Sequence, residues 1–183
     1  LDRLDRQLVG TDHARVRMHH VTDRAAREIL AEFDQAASTL LDSYERMYFD
    51  PDQATEVYTR QCSLLVSATD LAVMGATLAD GGVNPVTGER VVSADTCMRV
   101  LAVLATAGLY ERSGDWLYEV GLPGKSGVSG GIVTISPGKG AIGTFSPPLD
   151  AAGNSVRGQA LTRALSQQLG LNLFASQPET ERR

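Results

Sequence analysis

Ile132-Val133-Thr134-Ile135 and Ala141-Ile142-Gly143-Thr144-Phe145 flank Ser136-Pro137-Gly138-Lys139-Gly140. Two short apolar, β-branched runs about a Pro-Gly turn read as a β-hairpin. Gly127, Gly130 and Gly131 lie just ahead of the first run. Working outward, the chain on either side reads as helix. Ile29, Leu30, Phe33, Ala36, Ala37, Leu40, Leu41, Tyr44 and Met47 recur at three- and four-residue steps, which predicts one long amphipathic helix. Asp50-Pro51 supplies an acidic cap and a proline at the first helical position, opening a second helix through Ala54, Val57, Tyr58 and Gln61-Cys62. Ser67, three residues ahead of Asp70, is a capping-box start for Leu71-Ala72-Val73-Met74, and Gly81-Gly82 ends that helix. Ser93 caps another through Met98, Leu101, Leu104 and Ala105, closed by Gly108. Beyond Pro147-Pro148, Asn154 or Ser155 caps a last helix that Gly170 stops. Between Gly108 and Pro148 helical periodicity is lost. The order helices, hairpin, helix predicts an α+β fold, with helices packed on an antiparallel sheet. Two strands are marginal alone. Further strands are expected in sequence outside this chain or in its N-terminal segment.

The chain has 183 residues, 43% hydrophobic and 21% charged. That suffices for one domain with a core needing no disulfide or metal staple. No apolar run has the length of a membrane span, and no basic leader with an apolar stretch marks a signal peptide. Cys62 and Cys97 are too few and too far apart for a disulfide framework or a zinc site. A reducing, cytoplasmic compartment is expected. The net charge of −5 argues against a nucleic-acid partner. All three histidines, His13, His19 and His20, fall in the charged segment 1–21 without ligand spacing, so no metal is expected. The sequence starts at Leu1 rather than methionine, and we expect a piece of a longer protein.

Three places could carry chemistry. Lys125-Ser126-Gly127-Val128 puts a lysine at the mouth of a strand, with small residues that let a substrate approach. Backbone N–H groups near Val128 could donate to a developing oxyanion. Alone, the segment reads more plainly as a glycine-rich turn with one solvated lysine. Tyr58 on a helix and Tyr110 after Gly108 offer phenols that could bind a carboxylate or, beside a lysine, act as a base. Taken singly, each is an amphipathic core residue with its hydroxyl at the rim. Ser136-Pro137-Gly138-Lys139 matches the Ser-x-x-Lys spacing of penicillin-recognising serine enzymes. That chemistry needs a helical turn, which Pro137-Gly138 does not hold, so the match reads as chance. No nucleophile elbow, phosphate loop, zinc-protease motif or dinucleotide fingerprint is present.

Several long motifs occur in one order. They are Tyr58-Thr59-Arg60-Gln61-Cys62-Ser63, Asp70-Leu71-Ala72-Val73-Met74-Gly75-Ala76-Thr77-Leu78-Ala79-Asp80-Gly81-Gly82, and Asn84-Pro85-Val86-Thr87-Gly88-Glu89. Gly121-Leu122-Pro123-Gly124-Lys125-Ser126-Gly127-Val128 and Phe145-Ser146-Pro147-Pro148-Leu149-Asp150, running on to Gly153-Asn154-Ser155-Val156, complete the set. With them, residues 50–174 resemble the serine-dependent glutaminases, relatives of the β-lactamase fold. The resemblance implies hydrolysis of L-glutamine to L-glutamate and ammonia through a serine acyl-enzyme, with no cofactor. It implies a catalytic role for Tyr110, which relays protons beside the nucleophile, and for Lys125, the counterpart of the lysine in the β-lactamase Lys-Thr-Gly motif. It further implies substrate binding by Tyr58, by Tyr110 and by the backbone N–H of Val128 in the oxyanion hole. It implies a homo-oligomer, a dimer or tetramer, with no membrane or nucleic-acid partner.

The departures are specific. The family's N-terminal Ser-x-x-Lys helix and its Thr-Asn-Ala-Gly segment are absent. An expected Arg-Asn pair is missing, with Asp34 near the asparagine's place, and Glu28 only loosely matches an upstream glutamate. Residues 1–49 therefore read as a helical N-terminal segment poorly matched to the family, and 175–183 as a polar tail. The chain is expected to hold one wall of the active site without the nucleophile. Two readings follow: part of a working glutaminase, or a non-catalytic glutamine- or glutamate-binding or assembly module. A β-lactam-binding serine enzyme is a weaker third.

Overall fold

The computed structural model describes residues 24–62, 64 and 66–176. The readings for residues 1–21, including His13, His19 and His20, and the side chains of Glu28, Ile29, Leu30 and Phe33 lie outside what is described. The described residues divide into two compact units, one up to Val66 and the other from Ser67 onward.

In the first unit, helices α1 (Arg24–Ser43) and α2 (Pro51–Cys62) pack on each other. The Asp50 carboxylate caps α2, accepting from the N–H groups of Asp52 at 3.1 Å and Gln53 at 3.0 Å, as the Asp-Pro signal predicts. The buried Thr55 hydroxyl lies 2.8 Å from Ser38 Oγ on α1, and Gln35 donates to Asp52. The periodicity carries α1 to Met47, whereas the helix ends at Ser43. There the Ser43 hydroxyl donates back to the Leu40 carbonyl at 2.7 Å, and Glu45 turns to φ +56°. Leaving the α region ends the hydrogen-bond ladder whatever the apolar spacing beyond it.

The second unit carries the sheet. Helix α3 (Ala68–Ala79) starts at a reciprocal Ser67–Asp70 capping box. Helix α4 (Ala94–Ala107) starts at Ser93, whose hydroxyl accepts from the Thr96 N–H at 3.1 Å. A 3₁₀ turn, Tyr110–Arg112, leads into α5 (Ser113–Val120), a helix that the sequence reading missed. Strands β1 (Gly124–Ser126), β2 (Gly131–Ser136) and β3 (Gly140–Phe145) form an antiparallel sheet in the order β1-β2-β3. Lys125 pairs with Val133, and Val133 with Gly143. The hairpin stands as read. The additional strand comes from within the chain, from the Gly-Lys-Ser run read as a strand mouth. Ser155 caps α6 (Val156–Gln168), and Gly170 follows it at φ +60°.

The sheet is covered on both faces. On one, α3 lies so close that a Cβ at Gly75 would come 2.6 Å from Ala141 Cβ and 2.7 Å from Val133 Cγ2. On the other, α6 approaches Thr144 through Gly158, and Leu109, Trp116, Val120, Leu122 and Ile132 form the core, with Leu171 against it. Burying each large aliphatic side chain there contributes about 1.5–3 kcal/mol. This is the α+β arrangement of helices on an antiparallel sheet that the sequence predicts.

Candidate active site

Gly108 decides how the end of α4 meets β1. Any Cβ at that position would overlap the Gly124 carbonyl oxygen. With glycine there, the Gly108 carbonyl accepts the Ser126 N–H at 3.1 Å. Trp116 supports the same strand: its indole N–H donates to the Leu122 carbonyl at 2.9 Å, and its ring lies against Gly124. Beyond Gly108 the backbone turns sharply. Tyr110 adopts φ +54°, a left-handed conformation that is costly for a residue with a Cβ. The Ser113 hydroxyl braces this turn from both sides, accepting the Leu109 N–H at 2.9 Å and donating to the Tyr110 carbonyl at 2.7 Å.

The turn presents the Tyr110 ring, 41% exposed, toward β1. The Lys125 ammonium lies 4.7 Å from the ring centroid, a cation–π contact. It also donates to the Ser126 carbonyl. Past β1 the chain makes a tight turn, with Gly127 N–H donating to the Gly131 carbonyl and Gly130 N–H to the Gly127 carbonyl, both at 2.9 Å. Val128 lies in that turn, 53% exposed. Its N–H has no backbone partner among the described residues. Gly153, at φ +88°, completes the cluster: a Cβ there would be 3.7 Å from Val128 Cγ1 and 3.8 Å from Tyr110 Cε2. The second unit thus brings together a phenol, an ammonium and a backbone donor, a set suited to an anionic or developing-oxyanion oxygen. Tyr58 belongs to the other unit, on α2, where it is 53% exposed.

Behind this cluster lies the loop 150–155, whose sequence announces the helix cap at its end but no part in the cluster. Asp150 organises it. Its Oδ1 accepts from Ala152 N–H at 3.0 Å and Asn154 N–H at 2.9 Å, and its Oδ2 from the Gln159 amide at 2.9 Å. Burial pushes the Asp150 pKa up. The hydrogen bonds from Asn154, Gln159 and Ala152, with the charge of Arg112, outweigh burial and hold it below the usual value. An Asp with a glycine three residues on is a legible turn signal. The burial of Asn154 beside it is not legible, because it depends on segments distant in sequence.

Ser136 and Lys139 do not act on each other. The Ser136 hydroxyl is buried near the hairpin end of β2, while the Lys139 ammonium donates to the Gly170 carbonyl at 3.2 Å. Both line a cavity of about 220 Å³ with Leu122, Thr134, Leu169 and Leu171. That cavity shares no lining residue with Tyr110, Lys125 or Val128. Among the described residues no helix is long and apolar enough to cross a membrane, and no three His, Cys, Asp or Glu residues gather as a metal site would require.

A family model described as Glutaminase matches residues 6–174. "Glutaminase 2" of Yersinia pestis is 63% identical over 149 residues, covering 81% of this chain and 44% of its own length. The chain spans less than half the length of that relative. A solved structure of a probable glutaminase, YbaS, superposes with a TM-score of 0.83 at 46% identity, over 95% of this chain and 55% of that one. The Bacillus subtilis glutaminase YbgJ, solved as a covalent complex with 5-oxo-L-norleucine formed from 6-diazo-5-oxo-L-norleucine, superposes with a TM-score of 0.77 at 31% identity. That superposition covers 82% of this chain and 54% of the other.

Proposed function

This chain belongs to the glutaminase family, and from that premise we propose that the protein hydrolyses the side-chain amide of L-glutamine to L-glutamate and ammonia. The observation that carries the reading is the convergence of Tyr110, Lys125 and the Val128 turn on one surface. The covalent adduct of a glutamine-like ketone in the B. subtilis relative supports a nucleophilic route.

In this reading a serine hydroxyl attacks the amide carbonyl, and charge gathers on the carbonyl oxygen. The Val128 N–H donates to that oxygen. A single donor of this kind is worth about 100- to 1,000-fold in rate. Tyr110 passes the serine's proton to the departing nitrogen, ammonia leaves, and water hydrolyses the glutamyl ester. Lys125 holds the Tyr110 ring by its charge and adds positive potential. Tyr58 contacts the substrate. The attacking serine is assigned to a helical Ser-x-x-Lys segment, which Ser136-Pro137-Gly138-Lys139 is not. We assign the protein to the cytoplasm as a homo-oligomer, a dimer or tetramer; its unpaired Cys62 and Cys97 are compatible with a reducing compartment.

A second reading has its own support. The Ser126 hydroxyl is committed to Asn154 and Ser136 lies away from the cluster, so these residues alone suit glutamine or glutamate binding without turnover. One experiment separates the two. Ammonia release from millimolar L-glutamine is measured for the full-length gene product and for Tyr110→Phe. Turnover that falls about 100-fold or more in the variant is expected, the scale of a lost proton-transfer group. Glutamate binding by calorimetry with no ammonia release establishes the binding module instead.

A further inference from the structure

Asn154 has no exposed surface and takes no part in the reaction as described. Its Oδ1 accepts from the Ser126 hydroxyl at 2.5 Å, and its Nδ2 donates to the Leu109 carbonyl at 3.4 Å. Its backbone N–H donates to Asp150 Oδ1, and its carbonyl accepts the Asp150 N–H at 2.8 Å. These bonds join three stretches of chain. Leu109 carries the strained Tyr110, Ser126 follows Lys125 on β1, and Asp150 holds the loop whose Gly153 lies against Tyr110 and Val128.

We propose that Asn154 is a positioning residue that sets the spacing between Tyr110 and the Lys125–Val128 segment. Only a side chain with both an acceptor and a donor serves here. Aspartate would face the Leu109 carbonyl with an oxygen, and alanine would leave a buried hydroxyl and a buried carbonyl both unmet. A non-glycine residue keeps a left-handed backbone only where its surroundings over-determine it. Ser113 fixes the Leu109–Tyr110 segment through the Leu109 N–H and the Tyr110 carbonyl, and Asn154 fixes it through the Leu109 carbonyl. The same asparagine ties that turn to β1, so a shift of one moves the other. The catalytic consequence rests on the glutaminase reading; the geometric one does not.

The test uses the full-length gene product with Asn154→Ala, Asn154→Asp, Ser126→Ala and Ser126→Thr. Two readouts are taken: steady-state glutamine hydrolysis, and hydrogen–deuterium exchange resolved by peptide. Asn154→Ala is expected to lower kcat about 100-fold with KM within about threefold, the cost of an ångström-scale misplacement of catalytic groups. Asn154→Asp is expected to behave likewise. Ser126→Ala is expected to lose about 10-fold, and Ser126→Thr, which keeps the hydroxyl, to retain most of the activity. Exchange should quicken in peptides covering 108–112 and 124–128 and stay unchanged in α1 and α3. A folded Asn154→Ala protein with kcat within about twofold of the parent overturns the proposal, and so does loss of kcat with faster exchange throughout. If the parent protein releases no ammonia from glutamine, the glutaminase reading fails and exchange decides alone. Local quickening then upholds the positioning role, and unchanged or uniform exchange overturns it.

Discussion

Tyr110 is held in a conformation its own side chain disfavours, and the Ser113 hydroxyl is one of the groups holding it. Ser113→Ala removes a buried acceptor from the Leu109 N–H. We expect a loss of about 1–3 kcal/mol, read from the urea midpoint at constant slope. Gly108→Ala acts differently, forcing a Cβ into the Gly124 carbonyl and pushing β1 away. An overpacking cost of about 1–3 kcal/mol is expected, again from urea unfolding. At this scale residue type alone favoured a solvated lysine, rim tyrosines and a plain glycine-rich turn; the family resemblance singled out Lys125, Tyr110 and Val128, which the fold brings together. Neither the residue types nor the resemblance assigned the hydrogen-bonding roles of Ser113 and Asn154. Serine and asparagine are common near turns. Their importance here comes from carbonyls and N–H groups that the fold brings to them, one from 45 positions away in sequence.

The elements divide along the same line. The starts of α3, α4 and α6 were legible because a helix cap is a conversation between residues three apart: Ser67 with Asp70, Ser93 with Thr96, Ser155 with Gly158. Helix α5 was not, since its eight residues carry too few turns to display a period, with Gly114 inside it and Gly121 at its end. Strand β1 was not, since three residues, Gly-Lys-Ser, show no alternation, and the close approach of Gly108 to Gly124 is set by the fold. The loop from Asp150 to Ser155 makes a prediction in pH. Its carboxyl is held below the usual value, so the stabilisation it provides is complete above about pH 4 and is lost as pH falls through the lowered folded value. Unfolding midpoints measured from neutral pH downward should show that loss in the parent. In Asp150→Asn, which cannot ionise, the acid limb should be flatter.

For the whole molecule, the helices-on-sheet architecture was readable because it needs only the order of periodic segments. How much surface each unit leaves uncovered was not. The first unit exposes Leu40, Leu41, Tyr44, Tyr48 and Phe49, five large apolar side chains within ten residues. Apolar side chains exposed at this density favour association. The 183-residue chain is expected to sediment faster as its concentration rises about 20-fold, and a Leu41→Glu, Phe49→Ser variant to lose most of that dependence. A chain whose sedimentation is independent of concentration would show that this patch is not adhesive. Trp116 offers a different use. It is the sole tryptophan in the sequence, 3% exposed, with its indole tethered to Leu122 and its ring beneath Gly124. The protein therefore carries a native fluorophore lodged one residue from Lys125. Its emission wavelength is expected to shift if β1 is unseated, and a change on adding L-glutamate, read in a fluorimeter with no label attached, would report a ligand at the cluster.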